Sequence, residues 1–301
     1  AASGDTIIVA AGIYEENVEM KNGVDNLKIL GAKAGLYAGP SYPPAMRGEN
    51  ESVIKGTITL NGADHVLDGF TVQSGTENGV VVKGRNATIK NNILIGEKAS
   101  SGSQAGVYST SFNNLVIINN SIMNYVYGTW GDGSNVPPSI ISYNYIAGTS
   151  VGIFFNGSLP DGQTIEHNFM ENNETGIIVA QGGHTIAHNT IRSSAKAAIR
   201  LWGTVRTSNI RIEYNTLADN AIAIWLSNNH EGAVNNTAHK NKIVGNETAV
   251  KNDHDAIFDA SKNWWGSANG PGQDSPNGVS GNVTYIPWYV DEEMTTLSSG
   301  D

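Results

Sequence analysis

Short apolar and polar runs alternate along most of this chain, and the pattern recurs. The recurring unit is an apolar residue, two variable positions, an asparagine, one variable position and a second apolar residue. It is carried by Ile89 and Asn92, by Asn120 and Ile122, by Ile141, Asn144 and Ile146, and by Ile165, Asn168 and Met170. It continues through Ile186, Asn189 and Ile191, through Ile212, Asn215 and Leu217, and through Asn241 and Ile243. Gly69 and Asn263 hold the same place at the two ends, and between them the spacing varies from 21 to 28 with a mean near 24. A repeat of this size with uneven spacing predicts a solenoid whose rungs carry loops of different length.

A second mark follows each asparagine by eight or nine residues in most rungs: a small residue, then an apolar strand. Gly128, Gly152, Gly176, Ala198, Ala223 and Ala249 hold this place, and Gly79 and Gly106 hold it after longer spacers. A rung of two or three short strands cannot bury its apolar face alone, so rungs stack about 4.8 Å apart. An inward-facing turn asparagine then bonds the asparagines above and below, which satisfies buried amides. The predicted fold is all-β, a single-stranded right-handed parallel β-helix of about ten rungs, the hand taken from the crossover rule. It is read as one domain over residues 1–301, with N-terminal rungs over 1–60, a Gly/Pro-rich insertion at 33–51, regular rungs over 61–260 and a cap over 261–301. Trp264, Trp265, Trp288 and Tyr289 flank the Gly/Pro/Asn loop of 266–282 and either cover the last open rung or offer a sugar platform.

Strand residues alternate sides, so the small residue sets the parity. Positions one and three beyond it face the core: Ile153 and Phe155, Ile177 and Val179, Ile199 and Leu201, Ile224 and Leu226. Position two then points outward and reads Val81, Tyr108, Trp130, Phe154, Ile178, Arg200, Trp225 and Lys251. Position four reads Lys83, Thr110, Asp132, Asn156, Ala180, Trp202, Ser227 and Asp253. An exposed stripe of this kind marks a sugar groove, an oligomer interface or a patch covered by a loop.

Composition narrows the partners. With 18 Lys and Arg against 28 Asp and Glu the net charge is −10. No basic stripe exists, which argues against nucleic acid and against an anionic membrane surface. No apolar run is long enough to span a bilayer, so membrane insertion is not expected. An acidic polysaccharide stays open, because a local Arg/Lys cluster can sit on an acidic protein. The chain has no Cys, which removes disulfides and thiolate sites. It starts at Ala1 with no visible signal peptide and is read as a mature or excised piece of a longer precursor.

The opening stretch from Ser3 to Glu16, the repeated Asn-x-Ile rungs and the closing Asn263, Trp264, Trp265, Gly266, Gly270, Pro287 and Trp288 resemble bacterial and archaeal β-helix proteins of the pectin-lyase-like superfamily. The resemblance implies an extracellular or cell-surface protein, often one module of a larger chain. It implies fold more than function. The superfamily's hydrolase motifs are absent: Gly183 and His184 lack the second Gly, and Arg211 to Glu213 is not the cationic motif. The lyase calcium carboxylates with their downstream Arg-Pro-Arg stretch are absent too.

The candidate chemistry therefore rests on the outer face. A lyase needs a base and a clamp for a uronate carboxylate. Arg200 and Lys251, two rungs or about 10 Å apart, supply cations, and Asp253 and Asp255 supply ligands for calcium. A hydrolase needs two carboxylates about 5–9.5 Å apart, for which Asp253 and Asp255 are the candidates; a solvated turn explains the same run. Tyr108, Trp130, Asp132, Phe154, Asn156, Trp202, Trp225 and His230 are the expected sugar contacts. His167 and His188, beside ladder asparagines in adjacent rungs, fit turn stacking or a metal pair. The sequence thus predicts a carbohydrate-active β-helix acting on a polysaccharide, as lyase or hydrolase. The alternative is a non-catalytic surface module, as a homo-oligomer or part of a larger protein.

Overall fold

A computed structural model describes residues 1–38, 47–99, 102–110, 113–132, 138–156, 162–202, 207–227, 234–272 and 277–299. The described residues are all-β, and the strands form a parallel β-solenoid of about ten turns built from three sheets. No helix among them is long and apolar enough to cross a membrane. Backbone contacts divide the chain into two compact units, Ala1–Phe154 and Phe155–Asp301.

In the first unit, parallel register stacks like residues into core columns. Ile29, Leu67, Ile89, Ile117 and Ile141 are in register in the first sheet and all buried. Val72, Leu94, Ile122 and Ile146 form the equivalent column in the second sheet. Arg47, near the end of the predicted insertion, donates from its guanidinium to the carbonyls of Asn91 and Phe70 and pairs with Glu51. A buried cation is tolerated there because every near partner is an acceptor.

In the second unit the columns are Ile165, Ile186, Ile212 and Ala238 in the first sheet, Met170, Ile191, Leu217 and Ile243 in the second, and Ile177, Ile199, Ile224 and Val250 in the third. Ile153, Phe155, Val179, Leu201 and Leu226 are buried as well, so the predicted inward parity holds. At the C-terminus, Trp265 is fully buried and Trp288 Nε1 donates to Ala268 O at 3.0 Å. Strands Gly278–Ser280 and Val283–Thr284 add the last members of two of the sheets there.

The asparagine ladder forms as expected. In the first unit Asn92 and Asn120 each donate both backbone N–H and side-chain amide to the Oδ1 of the next asparagine, at 2.9–3.1 Å. In the second unit the same double bond links Asn168, Asn189, Asn215, Asn241 and Asn263 at 2.8–3.0 Å. The amides of Asn92, Asn120, Asn189, Asn215, Asn241 and Asn263 also donate to a first-sheet carbonyl one rung back, as Asn215 does to Ile186 O at 2.9 Å. The residue before each ladder asparagine turns the chain through positive φ, from Asn91 at 55° to Lys262 at 56°.

A second ladder was not expected. Ser194 N donates to Asn220 Oδ1, Asn220 bonds Asn246 through both donors at 2.9 Å, and Asn246 reaches Asn277 at 3.3 Å. A third turn column uses other acceptors. Leu27 N donates to His65 Nδ1 in the first unit, and Gln163 N to His184 Nδ1 and Ile210 N to Asn236 Oδ1 in the second.

Two tests follow from these columns. Asn215→Ala removes the acceptor of two buried donors on Asn189, at about 1–3 kcal/mol each. Urea denaturation is expected to show a loss of about 2–5 kcal/mol; a loss under about 1 kcal/mol contradicts the ladder's role. Burial pushes His184 down to about 4, below its ordinary value near 6.5. The unfolded chain therefore takes up a proton that the folded chain refuses. Stability is complete above about pH 6.5 and declines as pH falls toward 4, by about 3 kcal/mol. Thermal melts from pH 7 to 4.5 should show this decline, and His184→Asn, which keeps an acceptor as Asn236 does, should flatten it.

Candidate functional site

Three adjacent strands of the second unit carry the best-organised outer face: Ala197–Trp202, Ile222–Ser227 and Thr248–Asn252. Their register places Arg200 beside Trp225 and Trp225 beside Lys251. Because Ile199, Leu201, Ile224, Leu226 and Val250 fill the core, the intervening side chains must face out.

The Arg200 guanidinium carbon lies 4.3 Å from the centroid of the Trp225 ring and 5.6 Å from that of Trp202. Lys251 Nζ sits 5.1 Å from the same Trp225 ring. Trp225 is thus flanked by cations from both neighbouring strands. Arginine spreads its charge over a plane and stacks on indole at low desolvation cost, a contact of about 0.5–2 kcal/mol. Trp225 Nε1 donates to Asp253 Oδ2 at 2.7 Å, and Lys251 Nζ pairs with that oxygen at 3.2 Å. The indole bond, then Lys251, hold the Asp253 carboxyl below its usual range. Burial pulls the Arg200 guanidinium down, partly offset by the Asp253 charge.

Arg200 is aimed by one bond: Nε donates to Ser227 Oγ at 2.7 Å. Its two Nη atoms have no hydrogen-bond partner among the described residues, and no carboxylate pairs with it there. Parity places Ser227 outside, yet it is buried, because it lies beneath Arg200. Its role as a buried acceptor was not legible from parity.

The other expected residues fall as follows. Asp255 is exposed beyond the turn, its carbonyl accepting from Asn282 Nδ2 at 2.9 Å. His254, between the two aspartates, is buried with neither ring nitrogen hydrogen-bonded. No group of three or more His, Asp or Glu able to hold a metal occurs among the described residues. His230 lies outside the described residues, as do the side chains of Asp132 and Asn156.

In the first unit, Tyr108 and Trp130 are in register with ring centroids 4.8 Å apart. Tyr127 stacks on Trp130 at 5.3 Å and on Phe154 at 5.7 Å. Phe154 is consequently buried, which corrects the expectation of an exposed ring there; Ile178, in register with Arg200 in the second unit, is buried too. Parity is a backbone property, whereas exposure depends on which neighbours lean over. Tyr127 sits one residue before the small position Gly128, where parity assigns no outward contact.

What this arrangement offers chemically is a cationic donor group on an aromatic face. An arginine whose Nη atoms have no partner among the described residues presents a fork of donors with the geometry of a carboxylate. Lys251 and Asp253 are engaged with each other, so neither stands free as a base.

Among the solved structures that share the fold are two mannuronan C-5 epimerase A-modules from Azotobacter vinelandii. The chain matches that of AlgE6 with a TM-score of 0.57 at 16% identity, covering 86% of this chain and 67% of that one. It matches that of AlgE4 with a TM-score of 0.50 at 17% identity, covering 88% and 71%. These likenesses establish the parallel β-helix and agree with the pectin-lyase-like resemblance of the sequence. A search of curated proteins gave no match. The profile of the family described as periplasmic copper-binding protein (NosD) matches residues 1–159 and, in a second overlapping stretch, 98–279. With nearly the whole length accounted for, the chain belongs to the NosD family.

Proposed function

We infer that this chain is an exported polysaccharide-binding β-helix whose ligand is an acidic sugar chain, gripped on the outer face at Arg200, Trp202, Trp225 and Lys251. The observation that carries the reading is Arg200: half-buried, stacked on two indoles, aimed by Ser227, with both Nη atoms unpaired among the described residues on a protein of net charge −10. A semi-buried guanidinium that no carboxylate pairs with among the described residues is suited to an anionic ligand. Uronate carboxylates suit it, and the pyranose rings suit the flanking indole edges.

Two further facts support the reading. The two structurally similar modules are named for mannuronan, a polyuronate. The family description names a periplasmic protein, which fits export, whether to the periplasm or beyond the cell. Binding fits the geometry better than lyase or hydrolase chemistry. Arginine stays protonated, Lys251 is ion-paired, and Asp253 Oδ2 already accepts from Trp225 and Lys251. Calcium at Asp253 and Asp255 would have to displace those donors.

Titration calorimetry against polygalacturonate and alginate, with dextran as the neutral control, tests this. Arg200→Gln should weaken polyuronate binding about 10–100-fold, the worth of one charge-assisted contact. Binding should also fall with added salt. Unchanged affinity in the variant, or equal binding of dextran, would contradict the reading. Absorbance near 235 nm in the same mixtures reports any lyase product; its appearance would replace binding with catalysis.

A further inference from the structure

An asparagine followed by glycine is prone to attack by its own backbone, because glycine leaves the next N–H unscreened by a side chain. The chain holds six such pairs, beginning at Asn22, Asn61, Asn78, Asn156, Asn269 and Asn277. The fold treats them differently. In the first unit, the Asn61 amide donates to Glu19 Oε1 at 2.8 Å and to Met20 O, and Gly62 is buried. Asn78 Oδ1 accepts from Ala105 N at 2.7 Å, and Gly79 N donates to Ala105 O at 2.9 Å. In the second unit, Asn277 is fully buried, and its amide donates to Ile243 O at 2.7 Å and Trp265 O at 2.9 Å. Gly270, which follows Asn269, is buried and donates its N–H to Ser267 O at 3.3 Å. The pair at Asn156 extends outside the described residues.

Asn22 and Gly23 are both exposed, in the connection between strands Val18–Glu19 and Lys28–Leu30 of the first unit. Val24 N donates to Lys21 O at 3.3 Å and Gly23 has a φ of 79°, as in a type II turn with glycine at its third residue. Among the described residues neither the Asn22 amide nor the Gly23 N–H has a hydrogen-bond partner. A Cβ added at Gly23 would meet nothing within 4 Å, so the turn has room to move. Electrophile and nucleophile are adjacent, unbonded and unpacked. We propose that Asn22–Gly23 is a covalent modification site, the pair that the fold leaves free to deamidate while it protects the other four described pairs.

The chemistry needs water alone. Gly23 N gives its proton to solvent and bonds to Asn22 Cγ, the Cγ–Nδ2 bond breaks, and ammonia leaves with a proton from solvent. Water then opens the five-membered imide. Opening at the Asn22 backbone carbonyl leaves an isoaspartyl linkage, and opening at Cγ leaves an ordinary aspartate. The sum is amide plus water to acid plus ammonia, with nothing oxidised or reduced. Either product adds a carboxylate to a stretch that already carries Glu19 and Asp25. The isoaspartyl product also lengthens the main chain by one carbon between Met20 and Leu27, which are both buried. The site is separate from Arg200 and does not depend on the polysaccharide reading.

The test is prolonged incubation of the intact chain at neutral pH, followed by peptide mapping with mass spectrometry. Methyl transfer from a protein isoaspartate methyltransferase marks isoaspartyl peptides. The four protected pairs must break a hydrogen bond or leave the core before they react. Asn22 is therefore expected to convert at least about tenfold faster than Asn61, Asn78, Asn269 or Asn277. A parallel incubation in urea, where every pair is exposed, should bring the five rates together. Asn22→Gln, whose longer side chain closes a less favourable ring, should melt like the parent and leave the peptide around residue 22 without methyl label. No conversion at Asn22 in the native chain would overturn the proposal. So would a protected pair that reacts as fast, a lead for Asn22 that persists in urea, or label that stays on that peptide in Asn22→Gln.

Discussion

Stacking at a fixed rung spacing is the constraint on which the rest of the structure depends. A parallel rung buries its apolar side chains only against the rung before and after it. The turns between strands would then bury backbone N–H groups without partners, at about 1–3 kcal/mol each. The asparagine ladders remove that cost. One Oδ1 takes two donors from the neighbouring asparagine, and its own amide repeats the arrangement, as between Asn189 and Asn215. Because each bond joins equivalent residues, the ladder also forbids a slip of register. A slip of one residue would send core columns such as Ile177, Ile199 and Ile224 into solvent.

Register in turn writes the surface. Once Ile199, Ile224 and Val250 align inside, Arg200, Trp225 and Lys251 have no choice but to align outside. The charges then sort by local partnership. Lys251 and Asp253 neutralise one another against the Trp225 ring, while Arg200 keeps its charge available, supported by Ser227 and two indoles. The same stacking sets His167 over His188 on a different face of the rung. Both features come from side chains repeated at a spacing the backbone dictates.

Much of the fold was legible because its determinants are periodic: the first ladder asparagines, the small residue after them and the inward apolar pair recur in phase. The second ladder escaped because it is broken. Asn220 and Asn246 lie five residues after Asn215 and Asn241, but Ser194 interrupts the pattern, and Tyr125 and Thr149 stand there in the first unit. For the candidate site, parity identified Arg200, Trp225 and Lys251 as outward. It could not foresee that cations would cover Trp225, that Tyr127 would cover Phe154, or that Trp225 would bond Asp253 across 28 residues. Those contacts depend on rotamers and on neighbours one rung away, which a linear pattern does not encode.

On the proposed reading, Arg200, unpaired at both Nη atoms among the described residues, offers its guanidinium to a polysaccharide carboxylate. The most direct measurement is its modification by phenylglyoxal, mapped by mass spectrometry with and without polygalacturonate. The account predicts that Arg200 reacts in the bare protein and is shielded by the polyuronate, while dextran leaves it reactive. Equal modification of Arg200 with and without polyuronate would contradict the account.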